Sequence, residues 1–388
     1  MPINHGALSR RSFVKGSLLG FGAVAAAGLA GCGAGQSASS SASAAASSES
    51  ASGSNATSSA AQVFDVAIGH LNSTAHLLAF VAKEEGFFEE EGVSATLTQF
   101  SSASELVSGL ESEKLQIAFI GSVPTLVNAS NGHEISVFGG AMTNGHGYVI
   151  KSKYTDGLTS WDPTILKGKN VAVPRTTVQE LELYEICEKY GLTYGEGDDV
   201  DVRITYFESQ KDAYNAFQNA EIDAASTYSP YTSIAVADGA SIVYNCYEED
   251  IFKNQPCCRQ VALTSALDDS PELFEAAERA FIKAYAFYKN PDNRQAAIAD
   301  VKAYIDIPED EIEYEVFTPD YCDSNPDPDF QATLALKDDA ADFGYLQDFD
   351  LAKHYNTDIY DAALSDLEAA DPQNKYYADL RKHFDQYE

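Results

Sequence analysis

Positive charge is scarce in this sequence. Only 25 Lys and Arg stand against 59 Asp and Glu, giving a net charge of -34. A nucleic-acid backbone or an anionic lipid surface selects for clustered cations, so neither is expected as a partner. General solubility alone accounts for such an acid excess. Cysteine is scarce as well, with 6 in 388 residues. Their spacings lack the repeated CxxC pairs of zinc sites. No apolar run reaches the roughly 20 strongly hydrophobic residues of a membrane-spanning helix. GxSxG, HExxH and P-loop motifs are missing too, so nothing marks a hydrolase, a zinc protease or a nucleotide-binding loop. His70, His76 and His146 lack tight metal-site spacing, and neither a metal nor a cofactor is expected.

The N-terminus carries the first positive signal. SRRSFVK at Ser9 to Lys15 precedes a Gly/Ala/Leu run and then LAGC ending at Cys32. A charged start, an apolar stretch of roughly 15 residues and small residues before the cut make an export signal rather than a structural element. Arg10 and Arg11, with Phe13 and Lys15, resemble the twin-arginine signal that exports folded cargo. LAGC resembles a lipobox, which implies that Cys32 is diacylated and becomes the new N-terminus. Two acyl chains anchor stably where one is marginal. Residues 33 to 62 are almost wholly Ser, Ala and Gly, a composition too poor in apolar surface to offset ordering entropy, and so a flexible tether. The expected location is the outer face of the cytoplasmic membrane, at the cell surface or in the periplasm.

Beyond the tether, the remaining length suits two domains. An apolar strand at Val63 to His70 is followed by a loop. Leu77, Phe80 and Val81 recur at helical spacing before Gly86 stops the helix. A strand at Val93 to Leu97, a helix around Leu106 to Leu110, a strand at Ile117 to Ile120, a short helix from Pro124 and a strand at Ile135 to Phe138 follow. Alternation of this kind predicts a parallel sheet with helices on both faces. It restarts at Lys169, with strands at Val171 to Val173, Val202 to Phe207 and Asp223 to Thr227, and helices near Val178 to Tyr190 and Lys211 to Asn219. A second α/β unit is implied. Gly145 to Lys151 and Tyr244 to Ala262 are the expected crossings between units. Beyond Pro271 the chain reads as mainly helical, broken at Pro326 and Pro328. Five cysteines follow the lipobox, an odd number, so at least one is free or pairs between chains. Cys246 with Cys257 or Cys258 is a candidate disulfide on the oxidising side of the membrane, and buried free thiols are the alternative.

Several segments carry a family resemblance, in order. AHLLAFVAKEEGFFEEEGV from Ala75 to Val93 resembles the opening helix and turn of nitrate/sulfonate/bicarbonate-type solute receptors. QFSSAS at Gln99 to Ser104 and LQIAFIGSVP at Leu115 to Pro124 resemble that family's second and third βα loops. LKGKNVAV at Leu166 to Val173 resembles the start of its second domain, and AFQNAEIDA at Ala216 to Ala224 its ALxxGxxDA element, with Asn219 or Ala220 where Gly is usual. Coverage runs from about Val63 to Ala266. The resemblance implies a substrate-binding lipoprotein of an ABC importer with the type II periplasmic-binding-protein fold: two Rossmann-like α/β lobes with a ligand cleft between them. The implied lobes are 63–148 plus 258–388, and 149–257. Hinge closure is the implied motion.

In open α/β sheets, ligands sit beyond the carboxyl ends of strands, where helix N-termini converge. In the first lobe the candidates are Asn72, Ser73 and His76, then Ser101 and Ser102, then Gly121, Ser122 and Val123, and finally Thr143, Asn144 and His146. The second lobe offers Arg175, Thr176 and Thr177, where a guanidinium can make paired hydrogen bonds to a sulfonate or carboxylate. Tyr228 and Ser229 follow another strand. Ser229 stands where the family often carries Glu before Pro, which removes a carboxylate and favours an anion. Ser and Thr after strands are also ordinary helix N-caps. Arg259, on a crossing strand, is read as a hinge salt bridge or a cleft residue. The expected ligand is a small anion such as an aliphatic sulfonate or nitrate, and the expected partners are an importer permease and, through the anchor, the membrane. The chain is expected to act as a monomer. A binding protein for a pyrimidine, thiamine precursor or other small metabolite is the alternative, as is a surface solute sensor. An enzyme of this fold that makes a thiamine pyrimidine is cytosolic, so export argues against that reading.

Overall fold

A computed structural model describes residues 63–219, 221–252, 254–319 and 321–387. The twin-arginine segment, Cys32 and the Ser/Ala tether lie outside the described residues. Two six-stranded sheets organise the rest.

The first sheet is built from β1 (Phe64–His70), β2 (Val93–Gln99), β3 (Ile117–Gly121) and β4 (Ile135–Asn144). Between them run α1 (Leu77–Glu84), α2 (Phe87–Glu90), α3 (Ala103–Glu111) and α4 (Ser122–Ser130). The second sheet holds β5 (His146–Lys151), β6 (Lys169–Pro174), β7 (Tyr194–Gly195), β8 (Val202–Phe207), β9 (Ala224–Tyr228) and β10 (Ala240–Asn245), with α5 (Val178–Lys189), α6 (Gln210–Gln218) and α7 (Tyr231–Ala237). The chain then returns to the first sheet as β11 (Pro256–Leu263). It continues through α8 (Thr264–Asp269), α9 (Pro271–Lys289), α10 (Arg294–Lys302), α11 (Glu309–Phe317), β12 (Cys322–Asp323), α12 (Phe330–Asp342), α13 (Asp358–Ala370) and α14 (Lys375–Tyr387).

Strand order is β12-β4-β11-β3-β1-β2 in the first sheet and β10-β5-β9-β6-β8-β7 in the second. The sheets are mixed rather than parallel throughout. β1 runs parallel to β2 and β3, and β6 parallel to β8 and β9. The strands leaving and re-entering each unit run back against these: β11 is antiparallel to β3 and β4, and β5 to β9 and β10.

Burial on both faces explains the sequence of β3, whose Ile117, Ala118, Phe119 and Ile120 are all inaccessible. A central strand covered on each side reads as a continuous apolar run. Phe80, Phe88, Phe119 and Phe281 belong to the core of the first sheet, whereas Tyr148, Val171, Ile186 and Val202 belong to that of the second. The segment around Pro326 crosses β4 so closely that a Cβ at Gly140 would lie 2.0 Å from the Asp327 carbonyl. Glycine is the residue that fits there. No helix among the described residues is long and apolar enough to cross a membrane.

Candidate functional site

Four helices begin directly after strands and point their starts toward one cavity. Ser102 caps α3 by accepting the Glu105 N-H, and Glu105 in turn accepts the Ser101 N-H at 2.8 Å. Thr177 caps α5 through the Glu180 N-H, and Ser209 caps α6 through the Asp212 N-H. Gly121 precedes α4. A side-chain cap satisfies one of the free first-turn amides and leaves others available. Thr176 holds φ at 59°, a strained value for a β-branched residue. Its N-H donates to Glu180 Oε2 at 2.5 Å, which fixes the turn.

The cavity has a volume of about 380 Å³. From the first sheet's side it takes Ser73, His76, Ser101, Ser102 and Gly121, and from the second His146, Arg175, Thr176, Thr177 and Tyr228. Asn72 is not among the lining residues, and its side chain bonds the Tyr231 hydroxyl instead. Ser73 Oγ donates to the Ser229 carbonyl at 2.8 Å, a tie between the two halves. His76 is buried. Its Nδ1 accepts the Leu71 N-H at 3.1 Å, which assigns the ring proton of the neutral form to Nε2. Nε2 is turned toward the Cys258 thiol, which lines the same cavity, and makes no other hydrogen bond.

Arg175 is half exposed, stacks on the Tyr206 ring at 3.9 Å and pairs with Glu196 at 3.0 Å. It therefore lines the cavity while already holding a surface carboxylate. His146 is buried against Glu182, with Nδ1 3.0 Å from Oε1. Burial pushes the imidazole down, but Glu182 and then Cys246 outweigh it and raise the group to about 10. Burial likewise pushes the Tyr228 hydroxyl up, keeping it a neutral donor.

Five more candidates lie elsewhere. Ser122 and Val123 face away from the cavity: Ser122 borders a small void beside Arg259 and Thr333, and Val123 packs in a core with Leu181 and Leu336. The helix starts at Ser122, so its cavity face is Gly121, Pro124, Val127 and Asn128, at helical spacing. Thr143 and Asn144 border a different cavity, of about 670 Å³, with Tyr288, Lys289 and Cys322. Ser229 Oγ is buried and donates to Glu315 of α11, which also accepts from Ser233. Glu315 thus stands behind Ser229, outside the lining of the cavity. Burial raises that carboxyl above its ordinary range.

Other lining residues escaped the sequence reading. Gln179, Glu208, Ser209 and Gln210 follow strand ends as the chosen residues do, and the β8 to α6 junction was a readable signal for three of them. Cys257 and Cys258 had no such signal. Neighbours in a strand face opposite ways, but β11 is bulged here, with register shifts on both sides of Cys258. Both thiols line the cavity, their sulfurs 3.2 Å apart. The five described cysteines are free, so Cys246 is bonded to neither. Arg259 is buried, donating to Thr333 Oγ1 at 3.4 Å and the Cys258 carbonyl at 3.0 Å, with no ion pair among the described residues. It is neither a hinge salt bridge nor a lining residue of the cavity.

Known proteins give this geometry a context. A putative aliphatic sulfonates-binding protein of Bacillus subtilis is 29% identical over 207 residues, covering 51% of this chain and 58% of that protein. The taurine-binding periplasmic protein of Escherichia coli is 26% identical over 181 residues, covering 46% and 52%. The matches thus span little more than half the length of these relatives. The solved periplasmic nitrate-binding protein NrtA of Synechocystis superposes with a TM-score of 0.69 at 15% identity, covering 80% of this chain and 91% of that one. That likeness shows the periplasmic-binding-protein fold, with two α/β lobes and a cleft between them. Residues 59–301 match the sequence profile of the NMT1-like family, and the chain belongs to the NMT1-like family.

Proposed function

We propose that this chain is the extracytoplasmic solute-binding component of an ABC importer, and that its lobes close on a small anion such as an aliphatic sulfonate or nitrate. One observation carries the reading: the starts of α3, α4, α5 and α6, two from each sheet, border a single cavity together with Arg175 and His76. Helix N-termini and free N-H donors stabilise anionic oxygens without supplying a full counter-charge. The sulfonate- and taurine-binding names of the relatives support the same ligand class.

The reading extends to parts of the chain outside this geometry. Cys32 is the lipid anchor, residues 33 to 62 are the tether, and the protein works as a monomer at the outer face of the cytoplasmic membrane, delivering its ligand to a permease. The closing units, expected as 63–148 plus 258–388 and 149–257, are read from the two sheets with shifted bounds, β5 from His146 going with the second unit and β11 from Pro256 with the first. The ligand is released unaltered, so the chain is not an enzyme. In a thermal-shift screen, ethanesulfonate, taurine or nitrate at 100 times its dissociation constant should stabilise the fold by roughly 2.7 kcal/mol. A shift with a pyrimidine and none with any anion would overturn the proposed ligand class.

A further inference from the structure

Among the described residues, His146, Glu182 and Cys246 form the one group of three metal-ligating side chains whose ligand atoms all lie within 4.8 Å of one another. They come from three separate elements: the first residue of β5, the second turn of α5 and the turn after β10. Sequence spacing therefore gave no hint of the group. His146 is 1% exposed, and Glu182 and Cys246 are inaccessible. Burying a carboxylate is costly unless its oxygens are compensated. Glu182 Oε1 meets His146 Nδ1, yet Oε2 has no partner. The Cys246 thiol is unbonded to any other cysteine.

We propose that His146, Glu182 and Cys246 bind a borderline-soft divalent cation of the zinc class in the wall of the ligand cavity. Imidazole, thiolate and carboxylate together suit zinc, whereas calcium and magnesium take oxygen ligands. Zinc bonds of about 2.0–2.3 Å put tetrahedral ligands roughly 3.3–3.7 Å apart, so the group closes on an ion with small side-chain rotations. The charges balance. A dication with one thiolate, one carboxylate and a neutral imidazole is neutral, as a dry interior requires. Coordination forms metal-sulfur, metal-nitrogen and metal-oxygen bonds, and the protons held by the thiol and the ring leave to solvent. Three protein ligands leave a fourth position for water or another donor. His146 lines the ligand cavity as well, so an ion here would couple to its wall. Hydrogen bonds of His146 to Glu182 and to Cys246 join the three groups, and the metal also accounts for the unpartnered Glu182 oxygen.

Cobalt(II) is the probe. The full chain, stripped with a chelator and desalted, should retain one cobalt per chain and show a thiolate-to-cobalt charge-transfer band that zinc abolishes. Cys246→Ser should lose the band, and Glu182→Gln should weaken cobalt binding by more than the roughly 10- to 100-fold that loss of an outer partner costs. The double variant Cys257→Ala, Cys258→Ala should keep the band. On the unaltered chain, the melting temperature should rise with zinc concentration, a readout independent of whether any variant folds. Absence of stoichiometric cobalt, a band that survives Cys246→Ser, or a band lost only with the Cys257 and Cys258 pair would each overturn the site.

Discussion

Replacing Arg175 is the most informative perturbation of the cleft. Its guanidinium lies over Tyr206 and is held by Glu196, but both members of that pair are largely exposed, at 51% and 67%. An exposed pair contributes about 0.2–1 kcal/mol. A hydrogen bond to a charged ligand contributes about 1.5–3 kcal/mol. Exchange of Glu196 for a sulfonate is therefore favourable by about 0.5–2.8 kcal/mol, and Arg175→Ala should weaken sulfonate binding roughly 2- to 110-fold. The same reasoning gives the opposite sign at the competitor: Glu196→Gln frees Arg175 and should tighten binding by up to about fivefold. Calorimetric titration with ethanesulfonate at fixed ionic strength reads both. Affinity within twofold of the unaltered protein in Arg175→Ala, with saturable binding retained, would refute the reasoning.

Glu208 lines the same cavity, so Glu208→Gln should weaken taurine, which carries an ammonium, relative to ethanesulfonate, which does not. An equal effect on both in titration would remove Glu208 from ligand contact. Asp300, nearly inaccessible, is raised by burial and then by Glu85 and Glu84 from 3.8 to about 7. The folded state thus binds more protons between these values, and stability falls as pH rises through that window. Asp300→Asn should raise the melting temperature at pH 8 by a few degrees and leave it unchanged near pH 4, and an equal shift at both would contradict the assignment. Cys32→Ser should move the protein from the membrane fraction to the soluble exported fraction, as read by immunoblot after fractionation. Retention in the membrane would mean that another segment anchors it.

The periodic elements were legible because local and tertiary forces agree in them. β1, β3 and β8 are apolar runs or alternations bounded by breakers, and Ser102 and Thr177 combine a capping hydroxyl with a Glu three residues later. Misplaced residues trace to boundaries. α4 begins two residues before Pro124, which turns Ser122 into the interior, and β4 continues to Asn144, which carries Thr143 and Asn144 to another cavity. Features made by long-range pairing had no local signature. The bulge that brings Cys257 and Cys258 to one side depends on β4, and the placement of Glu315 behind Ser229 depends on α11 docking beside β9 and α7.

The most direct test of reversible capture is a titration followed by recovery of the ligand. Calorimetry of the mature chain with an aliphatic sulfonate should give one site per chain, and mass analysis after denaturation should return the sulfonate intact in the amount bound. Conversion of the sulfonate to any product, or the absence of saturable binding by sulfonates and nitrate alike, would contradict the proposed function.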